Sequence, residues 1–188
     1  AFGRANLDGF EADLAEFGMS VELERKGKVT VAEKPWQIKG LQAQAELYGR
    51  FGIKSELLTG DALRERFNSP VYSAGLYEPN YAVLNPGKMV AELRRVALAR
   101  DVIIHENTAV TAVRDDAGGV ELETPGGVIR AAQVVLATNA APPLLKRLRS
   151  AAIPIFDYAI VTRPLDADEL ASIGWTGRHC IADCGNQF

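Results

Sequence analysis

The sequence predicts a mixed fold, α/β or α+β, in which two subdomains interleave, one built on a parallel sheet and the other on an antiparallel one. Three observations predict it. Apolar stripes at helical spacing and apolar–polar alternations at strand spacing succeed one another along the whole chain. The run Val134-Val135-Leu136-Ala137 is apolar at every position, as a strand covered on both faces of a parallel sheet is. By contrast, Val120, Leu122 and Thr124 alternate with charged or polar neighbours, which suits an antiparallel sheet with one wet face.

Each element follows from its own residues. Leu7, Phe10, Leu14 and Phe17 recur at spacings of three and four, and Gly18 supplies the stop of a first helix. Val21 and Leu23 alternate with Glu22 and Glu24, and Val29 and Val31 with Lys28 and Thr30. Lys26-Gly27 between them predicts a hairpin of two half-buried strands. Pro35 opens a second helix whose stripe is Ile38, Leu41, Ala45 and Tyr48, ending at Gly52. A short third helix covers residues 61–67, with Leu63 and Phe67 on one face. Residues 75–84 are strand-like. Asn85-Pro86 then makes a strong helix start, because Asn caps free amides and Pro at the first helical position gives up nothing. Met89, Leu93 and Ala97 form the buried stripe expected of that helix, flanked by Val90 and Val96.

Residues 102–104 and 108–114 have strand composition, and residues 115–119 form a turn cluster before the alternation at 120–124. Pro125-Gly126-Gly127 turns the chain again before the apolar strand at 134–137. Pro142 and Pro143 open a basic helix with Leu144, Leu145 and Leu148. Phe156, Tyr158 and Ile160 alternate in a long strand, and residues 166–173 form a last helix stopped by Gly174.

The chain has 188 residues, room for one sizeable domain or parts of two. Its net charge of −3 comes from 24 acids and 21 bases interspersed along the chain. Such a balance gives no clustered basic face, so no nucleic-acid partner is expected. No apolar run approaches the roughly 20 residues of a bilayer span. Cys180 and Cys184, with His179 beside them, fall short of the four ligands of a structural zinc site and of a disulfide framework. Two reduced thiols in a cytoplasmic protein are the plainer expectation, and no metal site is predicted. The chain begins at Ala1 without an initiator Met, carries no signal-like segment and stops at Phe188 as if inside a motif. It therefore reads as an internal piece of something longer.

The usual catalytic constellations are absent: no G-x-S-x-G elbow, no P-loop, and no G-x-G-x-x-G turn to cradle a dinucleotide pyrophosphate. No catalytic residue can be named on these grounds.

Four motifs in order carry a resemblance. Asn85-Pro86-Gly87-Lys88-Met89 starts a helix and is followed by Asp101-Val102-Ile103-Ile104; then come Glu106-Asn107-Thr108-Ala109-Val110, the strand end Val134 to Asn139, and Asp157 to Leu165. Together they resemble the FAD-dependent oxidoreductases of the D-amino-acid-oxidase superfamily. With Ile173-Gly174-Trp175 and the ending Asp183 to Phe188, the likeness is greatest to the gamma-glutamylputrescine-oxidase-like branch. The resemblance implies part of an FAD/NAD(P)-binding Rossmann-like domain interleaved with an antiparallel-sheet substrate domain. Residues 1–84 would belong mostly to the substrate domain, residues 85–150 to the FAD-binding domain, and residues 151–188 to the substrate domain again.

The resemblance further implies FAD as cofactor and an oxidation of the C–N bond of an amine or amino acid by hydride transfer to the flavin, with O2 as acceptor. A dehydrogenase using another acceptor, or a binding module without cofactor, are the alternatives. It places the Val110 backbone at the adenine and Ala137, Thr138 and Asn139 close to the cofactor. Asn139 stands where glycine is commoner, which changes the local backbone freedom. A strand that stops at a small polar pair presents backbone groups at the carboxyl edge of a sheet, where such sheets bind ligands; the alternative is that Asn139 only caps the helix entered through Pro142. Tyr81 and Tyr158 are the aromatic candidates for boxing an amine substrate, against the plainer role of packing. Arg163 is a candidate for a substrate carboxylate, against the plainer role of a solvated arginine. A piece of a parallel sheet would leave open edges, so self-association is expected.

Overall fold

The computed structural model describes residues 2–116, 118–139, 141, 144–145, 150, 153, 155, 158–175 and 177–185. The chain divides into two compact units, one of residues 1–102 with 162–188, the other of residues 103–161.

The first unit is organised by a four-stranded sheet. Helix α1 (Phe2–Glu16) precedes strand β1 (Lys28–Ala32), and helix α2 (Pro35–Arg50) leads to strand β2 (Glu56–Thr59). Helix α3 (Gly60–Arg66), strand β3 (Ala74–Glu78) and helix α4 (Pro86–Ala99) follow. Helix α5 (Ala167–Ile173) and strand β7 (Cys180–Asp183) complete the unit. The strand order is β2-β3-β1-β7, with β1 antiparallel to β3 and parallel to β7.

Side-chain alternation gives this sheet two apolar faces. On one, Val29, Val31 and Leu58 pack with Leu63 of α3. On the other, Ala32, Ala74 and Leu76 pack with Leu41 of α2, backed by Ile38, Ala45 and Tyr48. The predicted stripe of α2 is therefore its packing face. Each fully buried leucine here contributes about 1.5–3 kcal/mol relative to exposure. Gly75 lets β3 lie close to both neighbours: a Cβ there would sit 2.6 Å from Val29 Cγ1 and 3.0 Å from Leu63 Cδ1.

The helix ends also follow the sequence. Gly18, Gly52 and Gly174 all adopt positive φ at or just beyond a helix end, the left-handed stop that glycine makes cheap. The Asn85 side chain accepts a hydrogen bond from Lys88 N at 3.1 Å, capping α4. Asp166 does the same for Glu169 N at 2.9 Å, and Glu169 accepts from Asp166 N in return.

Several expectations are corrected. The predicted hairpin does not form: β1 has β3 and β7 on its two edges, and residues 21–24 contribute only a single bridge, Glu24 to Val83. Glu22 has φ of 54°, which breaks an extended run there. The strand expected over residues 75–84 ends at Glu78, since Tyr81 O and Val83 bond instead to Gly27 N and Glu24. No residue of α4 is buried, and Leu93 is half exposed. Amphipathic spacing fixes which face seeks cover but does not supply the cover. Strand β7 was not expected at all, because four residues ending in a charged aspartate give little periodic signal.

The second unit holds an antiparallel meander, β4 (Ala112–Asp116), β5 (Gly119–Thr124) and β6 (Gly127–Ala131). Val113 faces Leu122, and Leu122 faces Ile129. Surface ion pairs cross the strands, Arg114 to Glu123 at 2.7 Å and Arg130 to Glu121 at 3.2 Å. Val113, Val120, Val134, Leu136, Leu144 and Leu145, with Asp115, line an open cavity of about 420 Å³.

Three strands expected in this unit are absent from its described residues. Residues 102–104 are extended but unpaired, with Ile103 largely exposed. Residues 134–137 are neither paired nor buried on both faces: Val134 and Leu136 line the cavity, whereas Val135 is 89% exposed. A buried parallel strand needs a bonded neighbour and a covering layer on each face, and an apolar run cannot provide these for itself. Residues 158–161 are likewise unpaired and exposed. The helix expected from Pro142, and Phe156 of the long alternation, lie outside the described residues apart from Leu144 and Leu145, which are half-buried.

Candidate functional site

A polar cluster in the first unit follows from the register of β1 on β3. That register sets Lys28 opposite Glu78. Along β3, Ala74 and Leu76 point into the apolar face under α2, and the two-residue period carries Glu78 to the same side. Glu78 is 5% exposed. Its Oε2 lies 3.2 Å from Lys28 Nζ, in an ion pair bent too far to count as a hydrogen bond, so that oxygen has no donor. Thr30 Oγ1, on the same face, is buried without a partner as well.

Tyr81 closes over this pair. Lys28 Nζ stands 4.3 Å from the centre of its ring, a cation–π distance. Burial works against the Lys28 charge, but the polar contacts and charges of Tyr81 and Glu78 outweigh it and hold the ammonium above its usual range. Glu78 and Tyr81 line a cavity of about 580 Å³ together with Tyr48, Phe51, Ile53 and Asn80. Exposed Arg4 and Lys54 line it too. The Tyr48 hydroxyl accepts from Gln44 Nε2 at 2.7 Å, which fixes the ring from behind.

Glu78 and Lys28 were not among the residues singled out from sequence. The one available signal was a carboxylate at an inward position of an otherwise apolar alternation, and it becomes informative only when the cross-strand partner is known.

Val110 is half-buried and lies just before β4, beside Thr111, whose N donates to Glu123 O at 2.8 Å. Ala137, Thr138 and Asn139 are exposed. Asn139 has φ of 49°, the left-handed region that glycine enters most easily and asparagine best among the rest. Thr138 O accepts from Ala141 N at 3.0 Å, so the chain turns sharply there. An exposed main chain at a left-handed turn can offer peptide groups to a ligand, which fits a cofactor held through backbone contacts. Tyr158 is 90% exposed. Tyr81 belongs to the first unit, and Val110, the 137–139 turn and Tyr158 to the second. Arg163 is paired with Glu169 through two contacts, 2.9 and 2.5 Å, at the start of α5.

His179 is another buried polar residue. It is 1% exposed, and its Nε2 has no hydrogen-bond partner. Burial, with the Arg66 charge, holds its pKa below the usual value. Cys180 and Cys184 are free thiols, and burial with the Asp183 charge pushes Cys184 upward. Among the described residues no three of His, Cys, Asp and Glu converge as a metal site would require. No helix among them is long and apolar enough to cross a membrane.

Comparison with known proteins agrees with this architecture. The model of the DAO family, FAD dependent oxidoreductase, matches residues 1–187. The probable oxidoreductase OrdL of Haemophilus influenzae is 26% identical over 148 residues, covering 75% of this chain and 34% of its own length. Glycine oxidase of Geobacillus kaustophilus is 26% identical over 141 residues, covering 73% and 37%. The crystal structure of glycine oxidase from Geobacillus kaustophilus superposes with a TM-score of 0.62 at 23% identity, over 69% of this chain and 36% of that one. The chain thus spans roughly a third of the length of these relatives.

Proposed function

Because the chain belongs to the DAO family of FAD-dependent oxidoreductases, we propose that its protein oxidises the C–N bond of a small amine or amino acid. The observation that carries this is the family match over residues 1–187. The glycine oxidase likeness favours an amino-acid or amine substrate. Within the family we place it in the gamma-glutamylputrescine-oxidase-like branch, on the residues from Asp157 to Leu165 and from Ile173 to Trp175.

FAD, when bound, supplies the redox chemistry: it takes the hydride from the carbon beside the nitrogen and hands the electrons to O2. The protein's part is to bind and orient. The Val110 backbone meets the adenine, and the exposed main chain of Ala137, Thr138 and Asn139 lies along the cofactor. Tyr81 and Tyr158 flank the substrate and exclude water from it. Residues 85–150 belong to the FAD-binding domain, and residues 1–84 and 151–188 to the substrate domain. The protein works in the cytoplasm, and its open strand edges favour self-association.

The full-length protein should be yellow, absorbing near about 450 nm as oxidised flavin does. It should release hydrogen peroxide when an amine or amino acid is added. Flavin without peroxide, but with reduction of an added dye, would move the reading to a dehydrogenase. Absence of flavin from the folded full-length protein would sink it.

A further inference from the structure

We propose that the cavity under Tyr81 is a binding site for a small carboxylate that carries a hydrogen-bond donor at its far end. It rests on the Tyr81 assignment above only for its place beside the reaction; binding itself needs no flavin.

The cavity's volume of about 580 Å³ suits a small molecule. Its chemistry is asymmetric. Arg4, Lys54 and, behind Glu78, Lys28 place three cations against one carboxylate, so the site favours an anion. Arg4 and Lys54 are the exposed pair, so a ligand carboxylate meets them. Tyr48, Phe51 and Ile53 offer an apolar wall for the ligand's body. At the buried end stands Glu78, an acceptor-only group with an oxygen that has no donor. Buried polar atoms are rarely left so in folded proteins, and a hydroxyl or amine of the ligand would supply the missing donor. The ion pair with Lys28 explains how the carboxylate is tolerated there before the ligand arrives.

The probe is 4-hydroxyphenylacetate, titrated into the protein by calorimetry beside two analogues. One, 4-methoxyphenylacetate, has no donor at the far end; the other, 4-hydroxyphenylacetamide, has no charge. The parent probe should bind, and each analogue should bind about tenfold more weakly or worse. The double variant R4A/K54A, changed only at exposed positions, should weaken the parent probe about tenfold and leave the amide unaffected. Glu78→Gln should lose the preference for hydroxyl over methoxy; if that variant fails to fold, the methoxy analogue on the unaltered protein reads the same contact. No binding of the probe, equal binding of all three compounds, or indifference to R4A/K54A would each overturn the site. A protein that binds the probe but holds no flavin would keep this site and lose the oxidoreductase reading. One that holds flavin and oxidises amines, but ignores the probe, would do the reverse.

Discussion

The two compact units use similar strand patterns and reach opposite outcomes. In the first, β1 and β3 are covered on both faces, and every fully buried apolar residue of the described chain belongs to this unit. In the second, the meander β4-β5-β6 alternates just as regularly, yet none of its described residues is buried, and Val128 is 55% exposed. Alternation decides which side chains share a face, whereas burial depends on what lies over that face. The first unit carries its own cover in α2 and α3. The second does not, among its described residues, and the chain spans only about a third of its relatives' length.

The largest expected effect tests that contrast directly. Leu76 is 0% exposed between β1 and α2, so Leu76→Ala should destabilise the first unit by about 2–5 kcal/mol. Leu122, centrally placed in β5 but only half-buried, should cost about 1 kcal/mol or less when truncated the same way. Urea unfolding of the two variants measures both. Equal losses would mean that the second unit has a core of its own and the comparison fails.

What the sequence made legible divides along the same line. Helix limits were readable because their signals are local: Asn85-Pro86 and Asp166 at starts, Gly18 and Gly174 at stops. The packing face of α2 was readable because its stripe has a partner within the unit. The hairpin at residues 21–31 was misread because pairing is non-local, and β1 bonds to β3 and to β7, the latter some 150 residues further along. The strand at 134–137 was misread because hydrophobicity at every position states a need for cover and not its presence. At the site, Tyr81 was visible as an aromatic, but Glu78 and Lys28 acquire meaning only through their register.

A smaller effect tests the close packing on β3. Gly75→Ala would place a methyl group 2.6 Å from Val29 Cγ1 and 3.0 Å from Leu63 Cδ1. Those side-chain ends can shift, at a cost of about 1–3 kcal/mol. Gly118→Ala in the second unit meets nothing within 4 Å and should change stability by no more than about 0.5 kcal/mol. Thermal melting of the two variants compares them. A neutral Gly75→Ala would mean that the sheet faces pack less tightly than the geometry requires.

The smallest effect near neutral pH, growing only in acid, comes from His179. The buried polar residues of the described chain are Thr30, Glu78 and His179, all in the first unit, so acid should act there first. His179 is held neutral by burial and by the nearby Arg66 charge, which lower its pKa in the folded state. The unfolded chain, with an ordinary histidine pKa of about 6.5, then binds more protons than the folded one below that pH. Stability is therefore complete above about pH 6.5 and declines as pH falls from there through the lowered folded pKa. Trp175 sharpens the penalty: its ring meets the imidazole edge-on at 6.3 Å, and its Nε1 donates to the His179 carbonyl, so the imidazole cannot swing out to water without breaking that packing. His179→Gln removes the titration while keeping a polar side chain. It should lower the melting temperature at pH 7 but flatten its slope between pH 6.5 and 5.5. Parallel slopes for the two proteins would show that His179 is hydrated in solution, and the acid sensitivity of the first unit would have to be sought in its carboxylates.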